Sequence, residues 1–93
     1  MAHHIVYDHI PGREDDFVTL RVVWEPYTNR ISLRFRNRQE AASGLVGTPK
    51  EIIDYLDMRA KSGSPWDQEA PRAARRRIAA LIGEDIEALS DVD

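Results

Sequence analysis

Phe17-Val18-Thr19-Leu20-Arg21-Val22-Val23-Trp24-Glu25-Pro26-Tyr27-Thr28-Asn29-Arg30-Ile31-Ser32-Leu33-Arg34-Phe35-Arg36-Asn37-Arg38 is the stretch whose reading decides the fold. Two runs rich in β-branched and aromatic residues flank Glu25-Pro26-Tyr27-Thr28-Asn29, which predicts a β-hairpin. Successive side chains on a strand point to opposite faces. Val18, Leu20, Val22, Trp24, Ile31, Leu33 and Phe35 therefore share one face, and Thr19, Arg21, Val23, Arg30, Ser32, Arg34, Arg36 and Arg38 share the other. One face is apolar and must be covered; the other is basic.

Pro26 suits the second position of a type I turn, and Asn29 tolerates the left-handed conformation that closes a four-residue loop. With that loop, Glu25 faces Arg30, Trp24 faces Ile31, Leu20 faces Phe35 and Arg21 faces Arg34. Like charges directly across a ladder are unfavourable. Either the register shifts by two, or an acid or an anion lies between the two arginines.

Working outward, Ile5, Val6, Tyr7 and Ile10 predict a short first strand that stops at the turn pair Pro11-Gly12. The acidic Arg13-Glu14-Asp15-Asp16 connects it to the hairpin, where those acids are candidate partners for the arginine face. Leu45-Val46 offers one more short strand in the glycine-containing stretch 39–47. Thr48-Pro49-Lys50-Glu51 then combines an N-cap, a first-turn proline and a glutamate three residues after the cap, the signature of a capping box. A helix is expected over 49–62, with Ile52, Ile53, Leu56 and Ala60 on its apolar stripe and Gly63 ending it. A second is expected over 71–82, with Ala74, Ile78, Leu81 and Ile82 inward. Glu84 to Leu89 reads as a last turn and 90–93 as a frayed acidic tail.

The expected architecture is α+β in a single domain over 1–93. A sheet-forming half, 1–47, contributes a small antiparallel sheet from the central hairpin plus one or two short strands. A helical half, 48–89, packs two helices on the apolar face.

Composition narrows the function. The chain has 93 residues, no cysteine and a net charge of -3. Lack of cysteine excludes disulfides, thiolate metal sites and cysteine catalysis, and suits a cytoplasmic location. The longest apolar run, Ile78-Ala79-Ala80-Leu81-Ile82, is far short of the ~20 residues that span a bilayer, and the amino terminus lacks a signal-peptide layout. Charge is uneven: -3 over 1–16, +4 over 17–38 and -4 over 39–93. Domains that bind nucleic acid indiscriminately usually have a pI above ~9, so only a local basic patch is in question.

That patch is Arg21, Arg30, Arg34, Arg36 and Arg38, with Tyr27 at the loop tip as the one aromatic free to stack. Guanidinium groups grip phosphates bidentately, and a β-ribbon can enter a groove. The same row also serves as a solvated face that discourages edge-to-edge aggregation. Arg75 and Arg76, with Arg72 and Arg77, form a second basic cluster on the later helix, expected to pair with Asp67, Glu69 or tail acids unless it adjoins the sheet face. Trp66 lies in a connector and is expected to fold back over the core end rather than serve as an exposed anchor.

Catalysis finds no footing. No Ser-His-acid set can be assembled, and Gly44 to Lys50 lacks phosphate-loop spacing and spends Thr48 as a cap. His3 or His4 near a free amino terminus can chelate Cu(II) or Ni(II), an arrangement that arises by chance, so no metal and no cofactor is expected. The expected function is that of a small non-catalytic binding protein acting through protein contacts or self-association, of a bacterial or phage type given its compactness and arginine-over-lysine usage. The alternative is a DNA or RNA binder using the arginine face of the hairpin. A third reading is an acidic mimic of nucleic acid, for which -3 is a small charge.

Overall fold

β2 (Phe17–Glu25) and β3 (Arg30–Asn37) pair antiparallel through the four-residue loop 26–29. The computed structural model describes residues 3–9 and 14–82; the expected turn at Pro11-Gly12 and everything after Ile82 lie outside them. Asn29 takes φ 53°, and its amide donates to the Pro26 carbonyl at 3.3 Å. Its short amide side chain suits that left-handed conformation, and its Oδ1 also accepts from Trp24 Nε1 at 3.2 Å.

The register is the unshifted one, Glu25 opposite Arg30 and Arg21 opposite Arg34. β1 (His4–Asp8) resolves the like-charge conflict from the other side of β2. It places Asp8 opposite Arg21, where Oδ2 accepts from Nη2 at 3.0 Å and Oδ1 from Nε at 3.4 Å. The acid is thus the first strand's, not the connector's. The hydrogen bond to Asp8, reinforced by its charge, holds the Arg21 pKa above its ordinary value.

Strict alternation fails at one end of β2. The pairing jumps from Phe17 opposite Asn37 to Thr19 opposite Arg36, so Val18 is the extra residue of a bulge. Phe17 is buried and Val18 half exposed, the reverse of the expected parity. Both residues are apolar, so hydropathy alone could not say which one the bulge would expel.

β4 (Ser43–Gly47) joins β3 to complete a sheet of order β1-β2-β3-β4. α1 (Pro49–Lys61) begins with the expected capping box: Glu51 N donates to Thr48 Oγ1, and Thr48 N donates to Glu51 Oε1. Gly63, at φ 93°, supplies the left-handed residue beyond its end. α2 (Glu69–Ile82) starts two residues earlier than expected and holds Pro71 in its first turn, where a missing amide hydrogen is harmless. α1 lies against β3 and β4, and α2 against β1 and β2. Ala70, Ala73, Ala74 and Ala79 line the buried face of α2, and such small side chains let a helix approach its neighbours closely.

The core between sheet and helices contains Leu20, Val22, Ile31, Leu33, Ile52 and Ile78, all fully buried. Trp66 closes one end of it, 2% exposed, edge-on to Phe17 and Phe35 with centroids at 4.9 and 4.8 Å. The connector acids turn to the helices. Asp15 Oδ2 accepts from Ala70 N at 3.2 Å while its Oδ1 accepts from Phe17 N, and Asp16 exchanges hydrogen bonds with Gln68. Asp15 therefore caps α2 from far away in sequence.

Candidate functional site

The helices cover one face of the sheet, and among the described residues nothing covers the other. The strand register orders that outer face into crosswise rows. Ile5, Val23, Ser32 and Val46 form one; Asp8, Arg21, Arg34 and Gly44 form the next; Thr19 and Arg36 lie beyond it, and Glu25 and Arg30 toward the hairpin loop. Ile5 is 60% and Val46 65% exposed. The surface is thus an aliphatic row beside an arginine row.

Arg21 is engaged by Asp8. Arg30, Arg34, Arg36 and Arg38 are exposed, and none makes an ion pair among the described residues. Arg38 follows the end of β3, where its amide donates to the Asp16 carbonyl at 3.0 Å. Tyr27 stands at the loop tip, 86% exposed. No other aromatic side chain joins it on the outer face: Trp24 and Phe35 take the core parity, as expected.

Arg75 and Arg76 are not part of this surface. α2 packs on the apolar side of the sheet, so its basic cluster lies in the helical layer and meets the outer rows only at the β1 edge, where Arg76 and Arg77 line a cavity with Ile5 and Asp8. Arg72 pairs with Asp67, Arg75 with Asp57 of α1 and Arg76 with Glu69. Asp57 is the partner that chain proximity could not suggest.

One polar cluster had no signal in the sequence. Glu40 Oε2 accepts from Trp66 Nε1 at 2.8 Å, from Asn37 Nδ2 at 3.1 Å and from Arg59 Nη2. The Arg59 guanidinium lies 4.7 Å from the Trp66 ring centroid and 5.8 Å from that of Tyr55, a cation–π arrangement. The Trp66 hydrogen bond, followed by those of Asn37 and Arg59, holds the Glu40 carboxyl below its ordinary pKa against the opposing effect of burial. Burial pushes the Tyr55 hydroxyl up. With all three donors converging on one oxygen, the arrangement ties a loop, a helix and the Trp66 connector together.

The histidines are scattered. His3 lies 3.8 Å from Glu25, the His4 ring sits 5.6 Å from Trp24, and His9 lies 3.8 Å from Asp15. Among the described residues no three His, Asp or Glu side chains gather where one ion could be held, and no helix is long and apolar enough to cross a membrane. No family model matches the chain, and neither does any curated protein or solved structure.

Proposed function

We propose that the protein is a non-catalytic binding module whose outer sheet face holds an acidic surface of another protein. One observation carries this reading: the guanidinium groups of Arg30, Arg34 and Arg36, without an anionic partner among the described residues, share the outer face with an exposed aliphatic row. Aliphatic side chains next to arginines complement an acidic protein surface with apolar residues among its carboxylates. They do less for a sugar–phosphate backbone, and strand recognition by stacking needs aromatic platforms that this face lacks.

The test is photocrosslinking from position 36 in nuclease-treated extract of the source cells, with position 72 in the helical layer as control. Protein adducts at 36 that persist after nuclease treatment, are absent at 72 and disappear when Arg34→Glu is introduced are the expected result. Adducts that vanish with nuclease, with affinity falling steeply as salt rises, would replace the acidic protein with nucleic acid.

A further inference from the structure

The two edges of the sheet are not alike. β1 is interrupted by a register irregularity between Ile5 and Tyr7 and carries Asp8, both devices that discourage pairing with another strand. α2 also runs beside it, so a cavity there is walled by Glu69, Ala73 and Arg76 as well as by the strand. Among the described residues β4 has none of this protection. Ser43-Gly44-Leu45-Val46-Gly47 contains no charge, no proline and no bulge, and its five residues pair with β3 in unbroken register. Among the described residues no hydrogen bond reaches residues 43–47 from anything except β3. Half of a strand's backbone groups point away from its single neighbour, so this edge presents unpaired donors and acceptors.

The arginine row runs out to the same edge. Gly44 is the outermost position of the row containing Arg34, and it has no side chain to block the way. A Cβ at position 44 would meet Arg34 Cγ at 3.6 Å, so the arginine stem lies over that glycine. Residues 32–34 and 42–46 line a shallow cavity of about 460 Å³ at this place. A further strand laid on β4 would stand two strand spacings from β3, roughly 9.5 Å. An arginine reaching over a bare glycine and a carboxylate reaching back span that distance together.

We infer that β4 takes an extended acidic segment of the partner as a fifth strand, with a carboxylate opposite Gly44 engaged by Arg34. This inference rests on the proposed acidic-protein reading and specifies its mode. The intervening residues of such a strand face the helical side, toward half-buried Leu45, so alternating acidic and aliphatic residues match both faces. Main-chain hydrogen bonds supply the affinity and the alternation supplies the selectivity.

The experiment uses the full chain and a labelled eight-residue peptide of alternating valine and glutamate, followed by fluorescence anisotropy at ~0.1 M salt. A peptide of the same sequence with alternate backbone amides N-methylated keeps the charge and cannot pair as a strand. The unmodified peptide binds, N-methylation or Arg34→Ala each weakens it about tenfold or more, Arg72→Ala leaves it unchanged, and the amides of 43–47 gain protection from hydrogen exchange. Equal binding of the N-methylated peptide overturns strand addition while leaving the acidic-partner reading in place. Failure of both peptides alongside binding of a single-stranded oligonucleotide overturns both. Protection of 43–47 without peptide, together with a dimer in solution, replaces the acidic segment with a second copy of the chain.

Discussion

Glu40 shows how much a single side chain can organise. Its Oε2 collects donors from Trp66, Asn37 and Arg59, so removing the negative charge leaves a half-buried guanidinium without its anion. Glu40→Gln lowers stability at neutral pH by about 1.5 kcal/mol, read from urea denaturation. Because folding depresses this carboxyl, its contribution is complete above the ordinary value of 4.5 and fades as pH falls through the folded value. The wild type and Glu40→Gln therefore converge in acid. A gap that stayed constant from neutral pH into strong acid would show that the charge is not what matters. Nothing near Glu40 in the chain announces this role, since Gln39, Ala41 and Ala42 read as an ordinary loop and Trp66 and Arg59 lie 26 and 19 residues away.

At the scale of elements, legibility follows sequence distance. The hairpin loop and the capping box at Thr48 were legible because each depends on residues within a few positions of one another, whereas the sequence left two hairpin registers open and the unshifted one comes with Asp8 of β1 opposite Arg21. Asn29 and Pro26 set the loop, and Thr48 and Glu51 satisfy each other's amides. The β2 bulge and the start of α2 were not. Whether Phe17 or Val18 turns inward is decided by Trp66 and Phe35 across the core. The start of α2 depends on Asp15, whose partner Ala70 lies 55 residues away. Asp15→Ala strips the cap and leaves the Phe17 and Ala70 amides without an acceptor, at a cost of about 2 kcal/mol. Hydrogen exchange quickens first in the opening turn of α2 rather than uniformly. An unchanged exchange rate at Ala70 would mean that another group caps the helix.

Considered as a whole, the molecule pairs most of the helical arginines and leaves most of the sheet's outer arginines unpaired among the described residues. In the helical layer Arg59, Arg72, Arg75 and Arg76 each have a carboxylate, while Arg77 has none among the described residues; on the sheet face Arg21 has Asp8, and Arg30, Arg34 and Arg36 have no carboxylate among the described residues. The cross-strand pair Arg21–Arg34 is a standing repulsion that Asp8 offsets from one side only. Arg34→Glu therefore raises the midpoint of thermal unfolding while removing the capacity to hold an acidic partner. A fall in the midpoint, measured by circular dichroism at low salt, would show that the arginine row contributes to folding instead of opposing it. Alternation alone assigned Leu20, Val22, Ile31, Leu33 and Phe35 to the core face, but it put Val18 there in place of Phe17. Which layer would receive the Arg72 to Arg77 cluster was not legible, because that depends on which side of the sheet α2 crosses.

Strand order in the sheet equals strand order in the chain. During synthesis all four strands leave the ribosome before either helix exists, and the residues that cover Leu20, Val22, Ile31 and Leu33 arrive only with the stretch from 48 to 82. At ~5–20 residues per second that interval lasts roughly 2–7 s. For those seconds the strand-forming half of the chain has nothing of its own to cover its oily-side residues.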